Sequence, residues 1–180
     1  MTARPRKARP PTSGTAAPRV SLHVGVPRRS LPMTPAVLRR DAVRALRLAK
    51  FRGAMSLAVV DDATMRTVNR DFHATDAPTD VLAFPLTAPG PRGAFDAEVV
   101  VSLTTAVREA GRRGVEPAAE LMLYVVHGTL HLMGHDDHDP RKAARMHEET
   151  LAILSRLGYA NTIGPASKRE PVRRAPGRHA

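Results

Sequence analysis

A run of histidines and aspartates, residues 127–138, holds the side chains of this chain that are best suited to chemistry. It reads H-G-T-L-H-L-M-G-H-D-D-H. His127 and His131 are four residues apart, so on a helix they lie on one face, one turn from each other, which is how a helix presents two imidazoles to one metal ion. Gly134 can take the left-handed conformation that ends a helix and reverses the chain, bringing Asp137 or His138 to the same ion. The run therefore predicts a metal site and favours a metalloenzyme.

The residue after the first histidine separates this run from the signature of the zinc peptidases. That signature, H-E-x-x-H, places a glutamate there as the general base. This chain has Gly128 at that position, so a peptidase of that type would lack its base. A peptidase is therefore the disfavoured interpretation.

Hydrophobic periodicity and capping residues predict the elements that position the run. Thr34 and Asp139 each precede a proline, a pair typical of a helix N-cap and first turn, and Asp61 or Asp62 is placed to cap a short helix. The predicted strands cover residues 20–24, 55–60, 81–84 and 98–102, and the predicted helices begin near residues 35, 62, 103, 118 and 140. Residues 69–91 are predicted to be mainly loop around the third strand.

The apolar residues indicate where the interior lies. Residues 121–126 are nearly all apolar, so the helix that carries His127 and His131 is expected to be buried. Residues 98–102 are apolar enough for a central strand. The pattern predicts an α+β fold, a small mixed β-sheet covered by helices, with a zincin-like metal helix.

The histidine run also matches a family signature. The pattern H-G-x-L-H-L-x-G, followed by an aromatic residue or histidine and then aspartate, resembles that of the YbeY family. Residues 76–85, D-A-P-T-D-V-L-A-F-P, resemble the family's D-x-P-T-D-V-L-S-F-P. Residues 97–102 resemble its G-D-I-V-I-S, and Glu120 is placed like its acid before the metal helix. The similarity spans residues 20–158.

This resemblance implies a function and a cofactor. YbeY proteins are single-strand-specific, metal-dependent endoribonucleases of ribosomal RNA maturation. The implied substrate is precursor rRNA of the small ribosomal subunit, above all the 3′ end of 16S rRNA, and one zinc ion per chain and a cytoplasmic location are expected with it. A second hypothesis makes the chain a ribosome-assembly or RNA-binding factor whose metal is structural and whose nuclease activity is marginal.

The third metal ligand departs from the family pattern, which is H-x3-H-x5-H. Counting ten residues from His127 reaches Asp137, and His138 is one residue further. Because the spacing into the following helix needs no gap, Asp137 is the first choice, and His138 is the alternative if the turn bulges by one residue. A carboxylate is a legitimate zinc ligand, but it leaves the ion with less net charge than a third imidazole.

The second departure concerns the candidate catalytic residues. The family has N-x-x-(Tyr or Phe)-Arg before the D-x-P-T-D block, and that arginine is implicated in activity. Here residues 69–73 read N-R-D-F-H. His73 can hydrogen-bond a phosphate or transfer a proton, but it lacks the fixed charge and bidentate fork of arginine. Arg70 is near enough in sequence to compensate.

Charge divides the chain into a domain and two tails. The formal net charge is +11, and residues 1–19 carry five basic residues and no acid, while residues 165–180 carry five basic residues and one acid. We predict basic disordered tails at residues 1–19 and 161–180 around an endoribonuclease domain at residues 20–160. Such tails favour a polyanion such as RNA, or they are solubilising extensions. No run reaches the roughly 18 apolar residues of a membrane span, and the absence of cysteine is compatible with a reducing cytosol.

Overall fold

The fold was obtained as a computed structural model, which describes residues 17–137 and 139–159. Apart from residues 17–19, the predicted tails lie outside the described residues. The strands are β1 (Arg19–Val24), β2 (Ala54–Val60), β3 (Val81–Pro85) and β4 (Ala97–Ser102). The helices are α1 (Pro35–Leu48), α2 (Asp62–His73), α3 (Leu103–Arg113), α4 (Pro117–Leu132) and α5 (Pro140–Leu157). Within the described ranges, no helix is both long and apolar enough to cross a membrane.

The four strands form one mixed sheet in the order β1-β2-β4-β3. β1, β2 and β4 are parallel, and β3 runs antiparallel to β4 at the edge. The predicted central strand is confirmed, because β4 lies between two others and its residues 99–101 are buried. The α+β prediction is also confirmed, since helices cover both faces of this small mixed sheet.

The predicted caps start the helices as expected. The side chain of Thr34 accepts a hydrogen bond from the backbone N–H of Val37, and that of Asp139 accepts from Arg141 and Lys142. Of the two aspartates proposed for α2, Asp61 is the cap. Each cap satisfies backbone donors that have no partner inside the helix.

The loop predicted for residues 69–91 is wrong at its start, because α2 continues to His73. Asn69 is buried on this helix, and its side-chain amide donates to the backbone oxygen of Ala77, 2.8 Å away. The helix ends where Ala74 takes a left-handed conformation with φ 53°. Alanine rarely adopts this conformation, so the sequence carries no stop signal at the true end.

The core lies mainly between the sheet and α4. Every residue of α4 from 119 to 131 is buried, and the helix packs against β3, β4, α1, α3 and α5. The opposite face of the sheet is covered by α2, where Met65 packs against Val60 and Val100. A central helix held on several sides gives its side chains fixed positions, which a metal site needs.

Candidate metal centre

Two histidines at the C-terminal end of α4 form the first half of the site. His127 and His131 are buried, and their rings lie 4.7 Å apart at an angle of 86°. Their Nε2 atoms are 3.2 Å apart, a distance at which one nitrogen can donate a hydrogen bond to the other. The helix thus directs two imidazole nitrogens at one point.

The turn after α4 supplies a third side chain. Gly134 has φ +97°, its N–H donates to the backbone oxygen of His131, and the N–H of His135 donates to that of Leu130. This is the left-handed helix ending expected for the glycine. The chain reverses there, and Oδ2 of Asp137 comes to lie 3.6 Å from Nε2 of His131 and 3.9 Å from Nε2 of His127.

The three residues have the spacing that a metal ion requires. One ligand atom from each of His127, His131 and Asp137 lies within 4.8 Å of the others. In a tetrahedral zinc site with bonds of about 2.0–2.1 Å, neighbouring ligand atoms are about 3.3 Å apart. The observed 3.2, 3.6 and 3.9 Å are close to that value. This group could therefore hold a metal ion after small adjustments of Asp137.

A polar atom of Asp137 supports the same interpretation. Its Oδ1 is buried and has no hydrogen-bond partner among the described residues. Leaving a buried carboxylate oxygen without a partner is costly, and a cation at the site would compensate its charge. The alternative third ligand, His138, lies outside the described residues.

Gly128, between the two histidines, faces the sheet. A Cβ atom added there would lie 2.9 Å from Cγ2 of Val81 and 3.2 Å from Cγ1 of Val99. Glycine therefore allows α4 to approach β3 and β4 closely, and a glutamate would not fit without moving the helix. The absence of the peptidase base thus has a packing reason as well as a chemical consequence.

Comparison with known proteins decides the family. The family model described as Endoribonuclease YbeY matches residues 36–158 of the 180-residue chain. The chain belongs to the YbeY family. The resemblance inferred from the histidine run and residues 76–85 is confirmed.

Relatives in the YbeY family support the assignment over different lengths. An Endoribonuclease YbeY of Rhodopirellula baltica is 40% identical over 109 residues, which are 59% of this chain and 55% of the relative. An Endoribonuclease YbeY of Anaeromyxobacter dehalogenans is 35% identical over 142 residues, 72% of this chain and 74% of the relative. The chain thus spans little more than half of the first relative and about three quarters of the second.

A solved structure has the same fold as this YbeY family member. The solution structure of TM1509 from Thermotoga maritima aligns with a TM-score of 0.54 and 21% identity, covering 84% of this chain and 99% of the other. At this identity the match shows the fold alone.

The YbeY block at residues 76–85 shapes the edge of the sheet. Oδ1 of Asp80 accepts hydrogen bonds from the backbone N–H of Val81 at 2.8 Å and from the hydroxyl of Thr79 at 3.2 Å. The backbone oxygen of Asp80 accepts from the N–H of Ser102. These bonds fix the start of β3, where Val81 is one of the two valines that face Gly128. The block therefore supports the metal helix through backbone geometry.

The two candidate catalytic residues lie on the last turn of α2, not in a loop. Arg70 is about half exposed and forms ion pairs with Asp71 at 3.6 Å and Asp76 at 3.8 Å. The ring of His73 stacks on Phe84 of β3, with 6.2 Å between the ring centres and 18° between the planes. Neither belongs to the metal-capable group found among the described residues.

Glu120, the acid before the metal helix in the YbeY pattern, lies inside the protein. It is 2% exposed, and its Oε1 lies 3.2 Å from Nη1 of Arg113. The sequence placed Glu120 in the family pattern but did not reveal this buried partner on α3. The pair joins the end of α3 to the first turn of α4, and Glu120 lies about two helical turns before His127.

Proposed function

We propose that this chain is a single-strand-specific, metal-dependent endoribonuclease that acts in the cytoplasm on precursor rRNA. The proposed role is ribosome biogenesis, through maturation of the 3′ end of 16S rRNA in the small ribosomal subunit. One observation carries the proposal: a member of the YbeY family holds three converging potential ligands at the end of a buried helix. The relatives' shared name, Endoribonuclease YbeY, supports RNA as the substrate.

The proposed cofactor is one zinc ion, held by His127, His131 and Asp137. Two imidazoles and a carboxylate are a donor set that zinc accepts. A bound zinc ion supplies Lewis acidity, which polarises a phosphoryl oxygen and acidifies water. Both imidazoles are buried, so their positions are fixed by the surrounding core. The turn at Gly134 positions the carboxylate of Asp137, which adds a negative charge that the family's third imidazole lacks.

The proposed substrate contacts come from the end of α2. Arg70 carries a permanent charge and is half exposed, so it can bind a phosphate by exchanging its contacts with Asp71 and Asp76. His73 would donate a hydrogen bond or a proton near the scissile phosphate. The formal net charge of +11 favours any RNA backbone by releasing its counterions.

The test is RNA cleavage by purified, metal-loaded protein. Single-stranded RNA should be cut, and both chelation of the metal and His131→Ala should reduce cutting to background. His135→Ala is the matched control, because His135 lies in the same turn and contacts Glu149 instead of the group. Cleavage that survives both chelation and His131→Ala would refute the proposal.

Burial of the ligands also favours the second candidate, an RNA-binding or ribosome-assembly factor with a structural metal. The exposed fractions of His127 and His131 are 7% and 2%, and the group ties α4 to the segment before α5. A structural metal predicts that His127→Ala lowers the melting temperature sharply, while a catalytic metal predicts loss of cleavage with the fold intact. Circular dichroism and the cleavage assay on the same variant separate the two.

A further inference from the structure

A groove rich in arginine lies between α1 and the start of β1. It has a volume of about 620 Å³ and is lined by Arg19, Arg39, Arg40, Arg44 and Arg47 together with small apolar residues. The four arginines of α1 lie on one face, because their spacing follows the turns of the helix. The opposite face of α1 carries Leu38, Ala42 and Leu46, which are buried. The groove is therefore a solvent-facing surface with a concentrated positive charge.

One buried acid organises part of this surface. Asp41 is 2% exposed and accepts hydrogen bonds from Nε of Arg40 at 2.9 Å, Nη1 of Arg44 at 3.3 Å and the hydroxyl of Tyr159 at 2.9 Å. Burial by itself raises the pKa of Asp41, but the hydrogen bonds from Arg40 and Tyr159 outweigh it and hold the pKa below its usual value. The carboxylate is thus charged at neutral pH and fixes two guanidinium groups, which lowers the entropy cost of binding a ligand.

The other three arginines of the groove are available to a ligand. Arg19, Arg39 and Arg47 form no ion pair with any acid in the described part of the chain. No acidic residue lines the groove. The chemistry of this surface suits a polyanion with regularly spaced phosphates.

The groove is separate from the metal centre. It lies at the N-terminal end of the edge strand β1, whereas Gly128 of the metal helix contacts Val81 and Val99 of β3 and β4. Val99 is in register with Leu57 and hence with Leu22, three residues beyond Arg19. With strands about 4.8 Å apart and about 3.3 Å per residue, the backbones of Arg19 and Val99 are about 14 Å apart.

We propose that this arginine groove binds the phosphodiester backbone of single-stranded RNA as a second contact site, remote from the metal centre. The inference rests on the proposed function for its choice of RNA among polyanions. A strand that reaches from the groove to the metal centre must be several nucleotides long. Short RNAs would occupy only the metal centre, and longer ones would use both sites.

The test compares Arg47→Gln with Arg112→Gln in the metal-loaded, full-length protein. Both arginines are exposed and lie in the last turn of a helix, so both variants lose one charge at a helix end, but only Arg47 lines the groove. Arg112 differs from Arg47 in that it pairs with Glu109 at 3.1 Å. Affinity is measured by fluorescence anisotropy with a labelled single-stranded RNA of about 20 nucleotides, a length within reach of such sites, over a range of salt concentrations. The RNA is checked for integrity afterwards.

Loss of one phosphate contact should lower the salt slope by about 0.7 and the affinity by about fivefold near 0.1 M salt. Arg47→Gln should show this change, Arg39→Gln/Arg47→Gln about twice the change in slope, and Arg112→Gln little change. In cleavage assays the groove variants should raise KM for the long RNA, leave kcat unchanged, and match the wild type on an RNA too short to span both sites.

Two results would overturn the inference, and they are distinguishable. If the wild type binds and cleaves RNA but Arg39→Gln/Arg47→Gln and Arg112→Gln bind it equally well, the groove is not an RNA site. If the wild type binds no RNA at all, the proposed substrate of the enzyme fails together with the groove.

Discussion

Replacing Gly128 by alanine tests whether close contact between α4 and the sheet positions the metal ligands. The added methyl group would lie 2.9 Å from Cγ2 of Val81 and 3.2 Å from Cγ1 of Val99. Carbon atoms in ordinary contact are about 3.5–4.0 Å apart. Both valines are fully buried and have stiff β-branched side chains, so neither can turn away at low cost.

The magnitude follows from two opposing effects. Overpacking a core by one methyl group costs about 1–3 kcal/mol, while alanine is favoured over glycine inside a helix by about 1 kcal/mol. Gly111→Ala on α3 is the matched control, because an added Cβ there has no atom within 4 Å. Taking the difference between the two variants cancels the helix preference, and we expect Gly128→Ala to be about 1–3 kcal/mol less stable than Gly111→Ala.

The assay is denaturant unfolding of both variants, followed by circular dichroism in the presence of a chelator. The chelator matters because a bound metal stabilises the folded state by mass action and would mix affinity with packing. A zinc titration of the folded variants then measures affinity separately. Gly128→Ala should bind zinc more weakly than Gly111→Ala, since moving α4 off the sheet displaces both histidines relative to Asp137.

Equal stability of the two alanine variants, within about 0.5 kcal/mol, would refute the reasoning about close packing. If Gly128→Ala is destabilised but binds zinc as well as the control, the packing argument holds and its link to ligand positions does not.

Three further predictions concern charged and polar groups. Asp137→Asn keeps the shape of the side chain but removes its charge. Loss of a residue that only contacts a metal ligand lowers affinity roughly 10–100-fold, so loss of a ligand should lower the zinc affinity measured by calorimetry by more than that. An unchanged affinity would exclude Asp137 as a ligand. Burial alone raises the pKa of Asp62, but hydrogen bonds from two hydroxyl groups and Arg108 lower it below its usual value. The stability that Asp62 contributes is therefore complete above the unfolded-state pKa of about 3.9 and is lost as the pH falls through the folded-state pKa. Asp62→Asn should weaken the decrease in unfolding free energy at acidic pH, and an unchanged decrease would contradict this. Burial and Asp41 raise the pKa of Tyr159 to about 12, so its contribution is complete below about pH 10 and is lost toward pH 12. Tyr159→Phe should cost about 1 kcal/mol at neutral pH and remove this alkaline dependence in a pH series of melting curves.

The extent of α2 shows why local sequence signals were not enough for every element. Helices with strong caps, such as those after Thr34 and Asp139, were predicted to begin where they do, because capping is an interaction within a few residues. The C-terminal turn of α2 has no such signal: it depends on the bond from the buried Asn69 to Ala77 and on a left-handed alanine. A contact between segments decided that end, so periodicity alone could not.

The sequence by itself determined the family, the α+β fold and the paired histidines of α4, because helical spacing and the glycine turn are local properties of the chain. It left the third position open between two neighbouring residues, and it described Gly128 only as a missing base. Tertiary structure alone brought Asp137 to within 4 Å of both imidazoles, showed Gly128 as the contact between helix and sheet, and gathered the arginines of α1 beside the start of β1. These features depend on distances between segments remote in sequence, and only the packing of α4 and α1 on the sheet determines such distances.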